Sequence, residues 1–367
     1  MTDTTARPVG DDAAEDGRPP SPGRRSPVLL SDVAARAGVS LATASRVLSG
    51  SRSVGEPYRG LVLAAARELQ YTPNAQAQAV ARGASNVVGL VIHDVRDPYF
   101  SSVASGVMRY VEERDLVVFL ASTHGDPERE LQYVAMMRSH RARALILCGT
   151  RTTDRAHTER LAEELQGYTA AGGRAAVISQ DRLGTPAVVP QNRAGARKLA
   201  RELCRTGHRR FAVLAGPSRL LSSRDRLAGF REGLVDEGVD PEGMQVLHGA
   251  FTREGGEQMA ERLVAQGLEA SCVFAVNDVM ALGALTAFRR AGLRVPEDVG
   301  LAGFDDIPTL VDVAPPLTSV RLPLEDMGVT AAQLALDTDP SAEPRSVKVH
   351  AEVVLRDSTR LPAEPPR

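Results

Sequence analysis

From Val87 onward the chain alternates short apolar runs with amphipathic helical stretches, and few architectures accommodate such an alternation. The runs are VVGLVI, LVVFLAS, ALILCG, AAVIS, FAVLAG, CVFAV and VGLAGF, and the helical stretches begin near Phe100, Pro127, Asp154, Arg193, Arg224, Thr252 and Asp278. A strand that is apolar at successive positions must be buried on both faces, so the alternation predicts α/β architecture with parallel sheets covered by helices. The number of runs implies two such sheets, with the first break near Pro190. In open sheets of this kind a ligand sits beyond the carboxyl ends of the strands. The residues just past the runs are Asp94 to Phe100, Gln180 to Arg182, Ser222 to Arg226, Phe251, Asn277 with Asp278, and Asp305 with Asp306. Polar and aromatic side chains gather there.

Ahead of this region the periodicity is purely helical. LSDVAARAGVSLATASRVLSG, from Leu30 to Gly50, reads as two short helices joined by a tight turn. Ser31 and Ser40 stand where hydroxyls can cap a first turn, and Gly38 stands where the first helix must end in a left-handed conformation. On the second helix Ala44, Val47 and Leu48 share an apolar face, which leaves Leu41, Ala42, Thr43, Ser45 and Arg46 outward or at the margin. That is the set a helix-turn-helix recognition helix presents to a major groove. A third helix, roughly Glu56 to Leu69, carries the stripe Leu61, Val62, Ala65, Ala66 and Leu69 and is expected to close a small core weakened by Gly60. Asn74 then caps AQAQAVAR, a helix too short to hold itself in water, with Val80 as its one branched apolar residue.

Charge supports a nucleic-acid role for this segment. Between Arg24 and Arg82 eight arginines face Asp32, Glu56 and Glu68, a net of +5 in a chain whose total is −2, so the remainder carries −7. Residues 1–27 mix Pro, Gly, Asp and Arg with almost nothing to bury and are expected to form a disordered tail. Cys148, Cys204 and Cys272 are odd in number and sit in apolar contexts, which predicts buried reduced thiols rather than a disulfide or a metal site. No apolar run reaches the length of a membrane span and no hydrophobic signal core opens the chain, so a cytoplasmic protein without membrane partners is expected.

The motifs resemble those of the lac repressor and galactose repressor family over residues 29–358. LSDVAARAGVSLATASRVLSG resembles its headpiece signature and YTPNAQAQAVARG its hinge helix, while DVRDPYF, LAGPSRLLSSRDRLAGF, FAVNDVMALGAL and RVPEDVGLAGFDDIP resemble its core motifs in order. The resemblance implies a helix-turn-helix headpiece (28–72), a hinge helix (73–84) and a two-subdomain core like that of periplasmic binding proteins (85–358), with a tail over 359–367. It implies an N-subdomain of 85–190 plus 320–340 and a C-subdomain of 191–319 plus 342–358, joined by crossings near 190, 320 and 342. It further implies a homodimer on a near-palindromic double-stranded operator, answering to a small-molecule effector, a carbohydrate, held between the subdomains.

On that resemblance Arg226 is the ligand-gripping arginine and Asp305 the hydroxyl-binding carboxylate; the alternative is that the two form a structural ion pair. Tyr99, Phe100 and Phe251 are placed to stack on a sugar face, and Asp97, Gln180 and Asn277 complete the candidate effector site. Arg46 alone among the outward residues has the fork that matches guanine O6 and N7. Ser31, Ser40, Leu41, Ala42, Thr43 and Ser45 are the remaining headpiece candidates, and Asn74, Ala77, Val80 and Arg82 those of the hinge, with Val80 a smaller minor-groove wedge than the family's usual Leu. Departures at Ser179-Gln180-Asp181 and Pro190-Gln191-Asn192 suggest an atypical effector, and a nucleoside-responsive regulator stays open. A two-lobed binding protein without a DNA role would lack the basic headpiece. An enzyme would show a GxGxxG, GxxxxGK, HExxH or GxSxG element, and the chain has none, so neither catalytic nor metal-ligating residues are expected.

Overall fold

The computed structural model describes residues 28–49, 54–72, 85–339 and 342–361. The chain forms two compact units, Met1–Gln78 and Ala79–Arg367.

The first unit holds α1 (Leu30–Ala37), α2 (Leu41–Leu48) and α3 (Glu56–Glu68). Gly38 takes φ 67° and ends α1; a side chain at that angle would be strained. Ser40 caps α2 as its position predicts, its Oγ accepting from the Thr43 backbone N–H at 3.1 Å. Ser31 does not cap α1. The helix begins at Leu30, two residues earlier than a Ser31 cap would set it, and the Leu29 N–H instead donates to Asp32 Oδ2 at 2.8 Å, so the third helical residue supplies the cap that the serine was expected to give. Val33, Ala34, Ala37, Ala44, Val47, Val62, Ala65 and Ala66 make an aliphatic core. Leu61 is not part of it: it lies one position off the Val62, Ala65, Ala66 row and is 53% exposed.

The second unit has two lobes. In one, six strands run parallel in the order β11-β5-β4-β3-β1-β2: β1 (Val87–Ile92), β2 (Val117–Ser122), β3 (Ala144–Cys148), β4 (Arg174–Ile178), β5 (Ala187–Pro190) and β11 (Ser346–Val349). Helices α4 (Pro98–Glu112), α5 (Pro127–Ser139), α6 (Arg155–Ala170) and α11 (Leu324–Asp337) cover it. The other lobe has the parallel order β7-β6-β8-β9, from β6 (Phe211–Ala215), β7 (Gln245–His248), β8 (Cys272–Ala275) and β9 (Gly300–Ala302). Around it lie α7 (Asn192–Arg205), α8 (Leu221–Asp236), α9 (Arg253–Ala265) and α10 (Asp278–Arg290). A short antiparallel pair, β10 (Ser319–Arg321) with β12 (Glu352–Val354), stands beside β9. Every residue of β3, β6 and β8 is buried, the pattern their unbroken apolar runs require.

The chain crosses between lobes after Pro190, after β10, and after Val349. The third crossing corrects the expected position near 342, and with it the assignment of 342–349 to the C-subdomain. Residues Ser346–Val349 pair in parallel with β5 and extend the first lobe's sheet, because the edge of β5 is left open until α11 has carried the chain back past it. The segment SVKV alternates half-buried and exposed residues as an edge strand does, so it has no apolar run to announce it. All three cysteines are buried and unpaired, and among the described residues no helix is long and apolar enough to cross a membrane.

Candidate effector site and nucleic-acid interface

The carboxyl ends of the strands of both lobes converge on one group of side chains. Arg226, in the first turns of α8, is 4% exposed and Asp305, just past β9, is 5% exposed. The guanidinium donates from Nη2 to Asp305 Oδ1 at 2.7 Å and from Nη1 to Asp305 Oδ2 at 3.2 Å. Its Nη1 also donates to the Val276 carbonyl at 2.7 Å, and its Nε to Asn192 Oδ1 at 2.8 Å. The guanidinium carbon lies 3.9 Å over the Phe304 ring, a stacking contact that burial strengthens. Arg226 and Asp305 thus form the buried ion pair set out above as the alternative to a ligand role.

The pair is not isolated from the other lobe. Asp97 caps α4, its Oδ1 accepting from the Tyr99 N–H at 3.0 Å, and burial pushes its carboxyl above the usual range against that bond and the pull of Arg226. Burial likewise raises the Asp305 carboxyl to about 6, opposed by Arg226 and assisted by the like charge of Asp97. The Tyr99 phenol is held well above its ordinary range by burial and feels both Asp305 and Arg226. Asp97 and Tyr99 of one lobe thus lie within electrostatic range of Arg226 and Asp305 of the other.

The other candidates are placed differently. Phe100 is a core residue, its ring edge-on to Tyr99 at 5.0 Å and tilted against His93 at 5.4 Å, so it supports Tyr99 rather than offering a face for stacking. Asn277 is buried, and its Oδ1 accepts from the Met280 N–H at 3.0 Å as the cap of α10. Phe251 is half-buried beside Gly216. Gln180 accepts the Arg151 backbone N–H at 2.9 Å.

Arg151 belongs to a strap that sequence reading missed. The Leu221 N–H donates to the Arg151 carbonyl and the Thr153 N–H to the Arg219 carbonyl, both at 2.9 Å, while the Ser222 N–H donates to Thr150 Oγ1 at 3.0 Å. These bonds tie the end of β3 to the start of α8 across the cleft. The Arg151 side chain is anchored by Glu130 at 2.7 Å, and Glu130 is also bonded to His157 Nε2 at 3.1 Å. Burial pushes the Glu130 carboxyl up, but Arg151 and His157 outweigh it and hold the group at about 2. Position was the available signal, since residues 149–154 follow the ALILC strand as the other candidates follow theirs.

In the headpiece Leu41, Ala42, Ser45 and Arg46 are exposed on α2, and Ser31 is exposed on α1. Thr43 is half-buried, its Oγ1 paired at 2.9 Å with the Ser40 Oγ that caps the helix. Arg36 and Glu68 tie α1 to α3 at 2.7 Å on the surface. Asn74, Ala77, Val80 and Arg82 lie outside the described residues.

A helix-turn-helix unit followed by a two-lobed α/β unit, with polar side chains from both lobes meeting in the cleft, defines a ligand-responsive DNA-binding regulator. Residues 29–74 match the family model described as bacterial regulatory proteins, lacI family, and residues 200–359 the periplasmic binding protein-like domain. The regulator GalS of Salmonella typhimurium is 33% identical over 84% of this chain and 89% of its own length. The regulator CelR of Thermobifida fusca is 32% identical over 91% of this chain and 99% of its own. A lac repressor dimer solved bound to operator and the anti-inducer ONPF superposes with a TM-score of 0.76 at 26% identity, covering 91% of this chain and 99% of that one. The chain belongs to the LacI family of bacterial transcription regulators.

Proposed function

We propose that this regulator is a cytoplasmic, homodimeric repressor whose operator affinity is set by a neutral sugar bound between the lobes. The observation that carries the reading is the charge state of the cleft. Of the five N–H donors of Arg226, one goes to Asn192, one to Val276 and two to Asp305. The cation is therefore already matched, and Asp97 adds a second carboxylate beside the pair. A phosphate or carboxylate ligand would meet two acids and a guanidinium already bonded to one of them. Sugar hydroxyls, which donate, suit Asp97 and Asp305, and the half-buried rings of Tyr99 and Phe251 suit the apolar face of a pyranose. A solved complex of CelR with cellobiose, 30% identical with a TM-score of 0.66 over 90% of this chain, supports the class. Recognition on DNA falls to Arg46, with Leu41 and Ala42 offering apolar contact to thymine methyls.

Thermal shift of the full-length chain against cellobiose, galactose, glucose 6-phosphate and adenosine tests the effector class. A neutral sugar raises the unfolding temperature by mass action, and Asp305→Asn removes the rise. Stabilisation by the phosphorylated sugar or the nucleoside alone overturns the reading.

A further inference from the structure

Two consecutive non-glycine residues, Asp305 at φ 113° and Asp306 at φ 55°, hold left-handed backbone in the loop that follows β9. Such conformations persist only where surrounding contacts enforce them. Here the contacts are with β10, the strand that leads out of this lobe. The Asp305 N–H donates to the Val320 carbonyl at 2.8 Å, the Leu322 N–H to the Asp305 carbonyl at 3.3 Å, and the Asp306 N–H to Ser319 Oγ at 3.1 Å. Just beyond, Pro323 opens α11, which packs on α4 so closely that Gly106 and Gly328 have backbone of the facing helix where a side chain would begin. The loop that holds the cleft carboxylate is thus bonded to the strand through which the chain re-enters the other lobe.

The Asp306 side chain has partners other than those of Asp305. It is 5% exposed, accepts from Arg321 Nε at 2.8 Å, and lies 2.7 Å from Arg356 Nη1. Arg321 ends β10 and Arg356 follows β12, so one carboxylate joins the strands beside both later crossings. Arg356 is itself fixed by donating from Nη1 to the Leu317 carbonyl at 2.6 Å.

We propose that Asp306 is a positioning residue of the interlobe hinge, clamping β10 and β12 so that movement of Asp305 in the cleft is passed to the crossings instead of being absorbed there. The role depends on the hinge and not on which effector fills the cleft. Loosening the clamp lowers the cost of rotating one lobe against the other, so the cleft opens more often even without a ligand.

Cross-cleft amides report that opening directly, because Thr153, Leu221 and Ser222 donate from one lobe to the other. Hydrogen exchange on the full chain therefore needs no effector. Asp306→Asn keeps a residue that tolerates positive φ while removing the charge. The expected result is exchange at least about ten-fold faster at Thr153, Leu221 and Ser222, with sheet amides of β3 and β6 unchanged. Unchanged cross-cleft amides overturn the proposal. So does a uniform acceleration that includes the sheets, which would make Asp306 a stabiliser of its own lobe. If Asp306→Asn does not fold, Arg321→Gln, whose side chain is 48% exposed, is judged by the same criterion.

Discussion

Asp278 shows how a single buried acid can set the pH response of a core. It opens α10 fully buried, and burial, with the like charge of Asp305, pushes its carboxyl up to about 8 from the ordinary 3.8. Its bonds from Ser319 Oγ at 2.7 Å and the Ile307 N–H at 2.9 Å pull the other way without prevailing. The folded chain therefore keeps a proton that the unfolded chain releases near 3.8, so this contribution to stability is complete below that pH and is lost as pH rises through about 8. Glu130 runs opposite: held at about 2 from 4.5, its contribution is present above 4.5 and lost on acidification. Asp278→Asn, neutral and of the same shape, is expected to flatten the decline between pH 5 and pH 8 by about 1 kcal/mol or more. Denaturant melts at the two pH values check this; an unaltered difference contradicts it.

Among the elements, α3 is the one whose sequence is least committed to its structure. Gly60 is exposed, and a methyl group added there meets nothing within 4 Å. Gly60→Ala should then stabilise the headpiece by about 1 kcal/mol, read as a higher midpoint in its circular-dichroism melt; no change would mean that α3 frays at this point. The elements legible in the sequence were those with a strong period or a special residue. The apolar runs of β1, β3, β6 and β8, Gly38 between α1 and α2, and the Ser40 cap all follow from local chemistry. Strands β5, β7, β10, β11 and β12 have only three or four residues each, all but β5 with mixed polarity, and they exist because a neighbouring edge accepts them. The site divides in the same way. Arg226 and Asp305 stand at strand ends, where sequence can point, whereas the Arg151 strap arises from the lobes meeting in space and the Asp306 clamp from segments distant in the chain, neither of which a local period encodes.

For the whole molecule, cleft and headpiece must share one equilibrium, because an effector shifts DNA affinity only through a difference in its binding to two states. The tie between Asp305 and β10 gives that equilibrium a physical hinge, and the strap from Arg151 to Leu221 gives it a closed state. The most direct test is an anisotropy titration of full-length protein on an operator selected from random DNA, with and without the neutral sugar that stabilises it. Saturating sugar is expected to change operator affinity at least about ten-fold, a coupling of roughly 1.4 kcal/mol, and Asp305→Asn to bind the same operator but no longer respond. An operator affinity indifferent to every neutral sugar that binds, or a full response retained by Asp305→Asn, would contradict that expectation.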